Sequence, residues 1–202
     1  MKRLHRNDLY GWSVFDKRLN IDFHSVLLVR AGGNVVVDPL PLAEHDAAHL
    51  SELGGIGTVV VTNSDHTRAA TEVAAQFTAR LLGPAAERED FPLPCDGWLA
   101  DGDEVVPGLV ALALDGSKTP GELALLLEET TLITGDLVRA HAGGRLTMLP
   151  DAKLADPAAA RESVRALTRF RTIDAVLPGD GWPVFSGGLE ALEALVAGFE
   201  NP

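Results

Sequence analysis

The sequence predicts a mixed α/β layered domain, and three observations carry that reading. Strand signals dominate the first part of the chain, and later apolar runs meet a polar break and then a helical pattern. Several of the strands also end in an aspartate: Val37-Asp38, Ser64-Asp65, Gly135-Asp136 and Gly179-Asp180. One such ending means little, since Asp is common in turns. In the last two a Gly precedes the Asp, where the backbone must turn sharply.

Taken in order, residues 10–15 alternate loosely, and residues 21–30 alternate and then run apolar, as a strand entering a core does. A Gly32-Gly33-Asn34 turn leads to the strand Val35-Val36-Val37. Residues 44–53 read as a helix stopped by Gly54-Gly55. Val59-Val60-Val61 is a buried strand, broken by Thr62-Asn63-Ser64-Asp65-His66, with a helix predicted over 68–75. A loop over 90–97 holds the single cysteine, Cys95. Residues 105–114 form a strand with a Pro-Gly turn inside it, and 122–127 with 131–134 form a hairpin turning at Glu128-Glu129-Thr130. A helix over 157–170 begins with Pro and is basic in its second half, which suits its dipole. A strand over 173–177 leads to Pro178-Gly179-Asp180-Gly181, and an amphipathic helix over 189–199 closes the pattern.

The 202 residues fit one large domain or two small ones, and we read them as a single domain, 1–202. With 46% hydrophobic and 23% charged residues the chain is globular. Its net charge of −12 repels phosphate backbones and anionic lipid, so no nucleic-acid or membrane partner is expected. One cysteine excludes an internal disulfide and any multi-cysteine metal site. Asn7-Asp8 stands where a signal peptide needs an apolar run, which makes a cytoplasmic location the expectation. The expected partner is a small-molecule ligand or substrate; assembly is left open, with a homodimer allowed.

The stretch from Val59 to His66 organises the rest. A strand running into Asp-His places a carboxylate and an imidazole at its C-terminal edge, where open α/β sheets bind ligands. The plainer reading makes Asn63, Ser64 or Asp65 a helix cap. His45-Asp46-Ala47-Ala48-His49 looks like a zincin helix with Asp for Glu, but the shorter carboxylate would not reach a metal-bound water in the same way. Ser64-Asp65-His66 holds triad residue types, yet adjacent side chains cannot form the relay. Cys95 reads as a small buried hydrophobe, and His24, His45, His49 and His141 as structural or solvated.

Together the motifs Thr62-Asn63-Ser64-Asp65-His66, Ser117-Lys118-Thr119-Pro120-Gly121-Glu122, Thr134-Gly135-Asp136 and Pro178-Gly179-Asp180-Gly181 resemble those of the metallo-β-lactamase fold superfamily. The hairpin length between Thr119 and Val138 and its closing Gly-Asp are the most specific part. The resemblance implies a four-layer αβ/βα sandwich with its site at the edge between two sheets. It also implies a metal site held by Asp65, His66, Asp136 and Asp180, the last in place of the family's final histidine. The family's other metal is held by three histidines, and here Asn63, Ser64 and Lys118 stand in those places.

Charge accounting refines this expectation. Three convergent carboxylates need cations to share a small volume. Lys118 is the stand-in for the lost metal, and Arg68 and Arg139 are reserve cations. One divalent ion (zinc, manganese or iron) or none would complete the site, with the hard carboxylates favouring manganese, iron or magnesium over zinc. The first function expected is a mononuclear metal-dependent hydrolase in which Asp65 or Asp136 accepts a proton and Lys118 stabilises developing negative charge. The second is a metal-free binding or interaction module of the same fold. Lys118 as a nucleophile is disfavoured, because nearby carboxylates hold it protonated.

Overall fold

The computed structural model describes residues 1–143 and 145–200, with the backbone alone for Glu200. The chain forms two compact units, Met1–Leu99 and Ala100–Pro202. None of the helices among the described residues is long and apolar enough to cross a membrane.

The first unit is one seven-stranded sheet whose strands lie side by side in chain order. They are β1 (Lys2–Arg3), β2 (Leu9–Asp16), β3 (Ile21–Leu28), β4 (Val35–Val37), β5 (Thr58–Val60), β6 (Arg80–Pro84) and β7 (Gly97–Leu99). The strands up to β4 pair antiparallel, and β4 through β7 pair parallel. Strands covered on both faces carry unbroken apolar runs, which is why β4 is three buried valines and β5 ends in two. Helix α1 (Glu44–Glu52) stops where Gly54 and Gly55 take positive φ.

Helix α2 (Ala70–Phe77) begins two residues later than its sequence pattern suggested. A 3₁₀ turn over Ser64–His66 and a left-handed Arg68 (φ 39°) precede it and delay the helical register. Strands β6 and β7 were not legible locally, because Gly83, Pro84 and Pro94 read as breakers. They are held as strands by parallel pairing to β5. Trp12, Leu27, Val36, Leu50, Val59, Val73 and Leu81 lie in the unit's core, and Cys95 packs against it.

The second unit contains a five-stranded sheet and a two-stranded one. The region read as one strand is two, β8 (Glu104–Val106) and β9 (Leu109–Ala113), folded antiparallel where Gly108 takes φ +82°. Next come β10 (Leu123–Leu127) and β11 (Thr131–Thr134), the expected hairpin, with Glu128 and Glu129 both left-handed in its turn. The hairpin β12 (Val138–Ala142) and β13 (Arg145–Met148) carries too mixed a pattern to be read from sequence.

Helix α3 (Pro157–Leu167) starts with Pro after Asp156, whose carboxylate accepts from the Ala158 and Ala159 N–H groups. Strand β14 (Ala175–Pro178) pairs parallel with β11, and helix α4 (Gly188–Ala197) follows. Sheet order is β14-β11-β10-β9-β8. Leu126, Leu132, Val138, Val164, Val176 and Leu192 lie in this unit's core.

Candidate functional site in two buried clusters

In the second unit the parallel pairing of β11 with β14 decides the geometry. Thr134 lies opposite Pro178, and the Gly179 N–H donates to the Thr134 carbonyl at 2.8 Å. Asp136 and Asp180 therefore leave neighbouring strand ends together, and both are buried. Asp136 is held from behind by Glu122, whose Oε1 accepts from the Asp136 N–H at 2.7 Å and the Leu137 N–H at 3.0 Å. The other Glu122 oxygen accepts from Ser117 Oγ at 3.1 Å. The buried Glu122 thus clamps the Gly135-Asp136 turn.

Asp180 is fixed by backbone. The Ala140 N–H donates to the Asp180 carbonyl at 3.0 Å, and the Trp182 N–H returns to the Ala140 carbonyl at 2.8 Å. Gly181 between them has φ +92°, and a Cβ there would fall 2.0 Å from the Ala140 oxygen. Lys118 comes from a loop locked against the start of α3, where a Cβ on Gly116 would fall 2.3 Å from the Asp156 oxygen.

The charged groups then meet. Lys118 Nζ lies 2.8 Å from Asp136 Oδ2. Arg139 Nη2 lies 3.5 Å from Asp136 Oδ1 and pairs more closely with Asp180 Oδ2. Arg139 is itself buried, and Lys118 is the most exposed of the four, at 29% of its side chain. Asp136 and Asp180 thus face two basic side chains. Partial burial, and then the Arg139 guanidinium, hold the pKa of His141, further along β12, below its ordinary 6.5.

The first unit holds a second cluster. Asp38 follows β4 with φ 48°, and its Oδ1 accepts from the Thr62 N–H at 2.8 Å. Its Oδ2 accepts from Thr62 Oγ1 at 2.7 Å and lies 2.7 Å from His66 Nδ1. Arg68 Nη2 faces His66 Nε2 at 3.3 Å. A guanidinium has no acceptor, so Nε2 is the accepting nitrogen and Nδ1 carries the proton toward Asp38. Arg68 also donates to the His24 carbonyl at 2.7 Å and lies 5.3 Å from the Phe23 ring centroid. Two non-glycine residues in left-handed conformations, Asp38 and Arg68, thus flank one imidazole; such strain clusters at functional sites.

Of the residues singled out from sequence, Lys118, Asp136 and Asp180 come together in the second unit. Asp65 and His66 are neighbours in the first unit but diverge: His66 is buried on Asp38, and Asp65 is exposed with its N–H on the Asn63 carboxamide. Asn63 is therefore a cap, of the 3₁₀ turn and not of α2. In the zincin-like stretch Asp46 takes the Met1 ammonium, His45 is exposed and His49 meets Tyr10 edge-on. Burial, and then Asp96, push the Cys95 thiol up to about 11, so it is no nucleophile at neutral pH. Asp38 had been noted only as a strand ending, and Arg68 and Arg139 only as reserve cations.

A divalent ion is held by donor lone pairs, and ionised carboxylates favour it most. Here Asp136 offers one oxygen to each of two cations, Asp180 offers Oδ2 to Arg139, and the Nε2 of His66 faces a guanidinium. Lys118 and Arg139 thus hold carboxylate oxygens that a divalent ion would also need.

A sequence profile of the metallo-beta-lactamase superfamily matches residues 1–199. The chain belongs to that superfamily. Among curated proteins, a hydroxyacylglutathione hydrolase of Acidiphilium cryptum (strain JF-5) is 26% identical over 140 residues, covering 67% of this chain. The match spans 57% of that relative's length. Among solved structures, a metallo-beta-lactamase from Pontibacter korlensis is 14% identical with TM-score 0.74, over 98% of this chain and 97% of its own. The metallo-beta-lactamase FIM-1 from Pseudomonas aeruginosa, in a mono-zinc form, is 16% identical with TM-score 0.72, over 96% and 92%. These likenesses show the metallo-β-lactamase fold that the motifs implied.

Proposed function

We propose that this superfamily member binds a small-molecule ligand without a metal ion and is not a metal-dependent hydrolase. The observation that carries the reading is the Arg139 guanidinium bridging Asp136 and Asp180, with Lys118 on the remaining Asp136 oxygen. With Lys118 and Arg139 on these carboxylates a divalent ion would have to displace them, and breaking such pairs leaves uncompensated charge. Lys118 is the exposed end of that network, so an incoming ligand meets an ammonium first. That favours a ligand bearing a carbonyl or carboxylate group. The reading is tested by elemental analysis of protein purified without chelators, repeated after loading with zinc, manganese and iron, with hydrolysis of a thioester followed in parallel. Metal content well below one equivalent and no metal-dependent turnover are expected.

The second reading is the mononuclear metal-dependent hydrolase, and the curated relative's name favours it. Under it the family's positions Asp65, His66, Asp136 and Asp180 would supply the ligands, and Arg139 would have to leave both carboxylates first. One equivalent of metal with metal-dependent hydrolysis would establish it in place of the first.

A further inference from the structure

We propose that the second unit carries a separate binding site for a medium-chain carboxylate, in a cavity of about 400 Å³ lined by β13, α3 and α4. None of Lys118, Asp136, Arg139 and Asp180 lines it. Protein interiors leave few voids larger than a water molecule, and a pocket of this volume is of the size that holds a small ligand. Its apolar part is an extension of the core. Leu146 and Met148 of β13 line it with Leu195 of α4 and Phe199, and each of these belongs to or packs on the unit's apolar cluster.

The charged part selects the ligand. Two guanidiniums and one carboxylate line the cavity among the described residues, in a chain whose net charge is −12. Arg161 is already held, with Nη2 2.5 Å from Asp151 Oδ2 and Nη1 donating to the Pro157 carbonyl at 3.2 Å. Arg145 is exposed at the start of β13, and no carboxylate pairs with it among the described residues. A guanidinium takes a carboxylate through two parallel N–H bonds, so one open arginine matches a single negative charge. Met148 stands three residues further along the strand, about 10 Å from Arg145 at the ordinary strand rise. An extended chain advances roughly 1.2 Å per bond, so about eight carbons cover that distance. A head group on Arg145 then lays its chain along Leu146 and Met148.

Calorimetric titration of the full chain with sodium hexanoate, octanoate and decanoate tests the site. Octanoate should bind wild type at one equivalent and about tenfold tighter than hexanoate, since each buried methylene is worth about fourfold. Decanoate should gain little more, because the cavity is by then filled. Arg145→Gln should weaken octanoate about tenfold, and uncharged 1-octanol should bind wild type no better than octanoate binds that variant. Ala194→Phe, at an exposed position of α4 on the cavity wall, should abolish binding by occupying the space. Lys118→Ala should leave octanoate affinity unchanged, which separates this site from the one proposed above. Octanoate binding that ignores both Arg145→Gln and Ala194→Phe overturns the proposal, as does a loss seen with Lys118→Ala alone. A wild type that binds none of the series also overturns it; if Ala194→Phe then splits a dimer, the cavity is a contact between copies of this chain.

Discussion

Asp38→Asn isolates the chemistry of the first unit's cluster, because Asn fits the same volume and tolerates the left-handed backbone (φ 48°) that Asp38 adopts. The carboxylate accepts the Thr62 N–H, the Thr62 hydroxyl and the His66 Nδ1 proton. An amide keeps the first bond but turns its NH₂ toward the other two. His66 must then accept at Nδ1 and carry its proton on Nε2, where Arg68 Nη2 at 3.3 Å presents another donor.

The loss is one hydrogen bond to a charged acceptor plus one buried donor facing a donor, together about 3 kcal/mol. For a chain of this size that lowers the thermal midpoint by about 6–12 °C. Urea unfolding should show a lower transition midpoint at unchanged slope. Nitrogen-detected NMR should show the His66 proton move from Nδ1 to Nε2. A loss below about 1 kcal/mol with the tautomer unchanged would refute the assigned hydrogen-bond directions.

Two further outcomes follow from individual residues. Burial alone would raise the Asp8 carboxyl, but hydrogen bonds from Arg6 and Arg30 outweigh it and hold the group at about 2 against an ordinary 3.8. A depressed folded-state pKa stabilises above the unfolded value and is lost as pH falls through the folded one. Asp8→Asn should therefore flatten that part of the acid limb between pH 4 and 2 in denaturation curves, leaving the slope above pH 5 unchanged. Gly181→Ala would place a Cβ 2.0 Å from the Ala140 oxygen at φ +92°, against the Ala140–His141 backbone. A loss of about 3 kcal/mol or more is expected by urea unfolding, and a loss under 1 kcal/mol would mean the Asp180 turn is looser than described.

Much of the site was legible because its markers are local. A Gly-Asp after a hairpin and a second Gly-Asp after a short apolar strand marked Asp136 and Asp180 as strand endings, and the resemblance to the superfamily's motifs made them site residues. Lys118 stood out for the same reason, as a cation where the family motif has a histidine. The fold class was equally local, since apolar runs, polar breaks and helix patterns alternate within windows of ten or so residues.

What each residue touches could only be decided by the fold. Asp38 and His66 are 28 positions apart, and meet because β4 and β5 pair in parallel with Val37 opposite Val60. Arg139 reaches both aspartates from β12, in a hairpin whose register shifts just after it. A shift of that kind changes which side chains share a face and leaves no mark in the residue pattern. Sequence alone thus determined which charges this protein carries at its strand ends. Which basic side chains those charges meet was decided by strand pairing, because a carboxylate pairs with whichever cation the fold brings within about 3 Å.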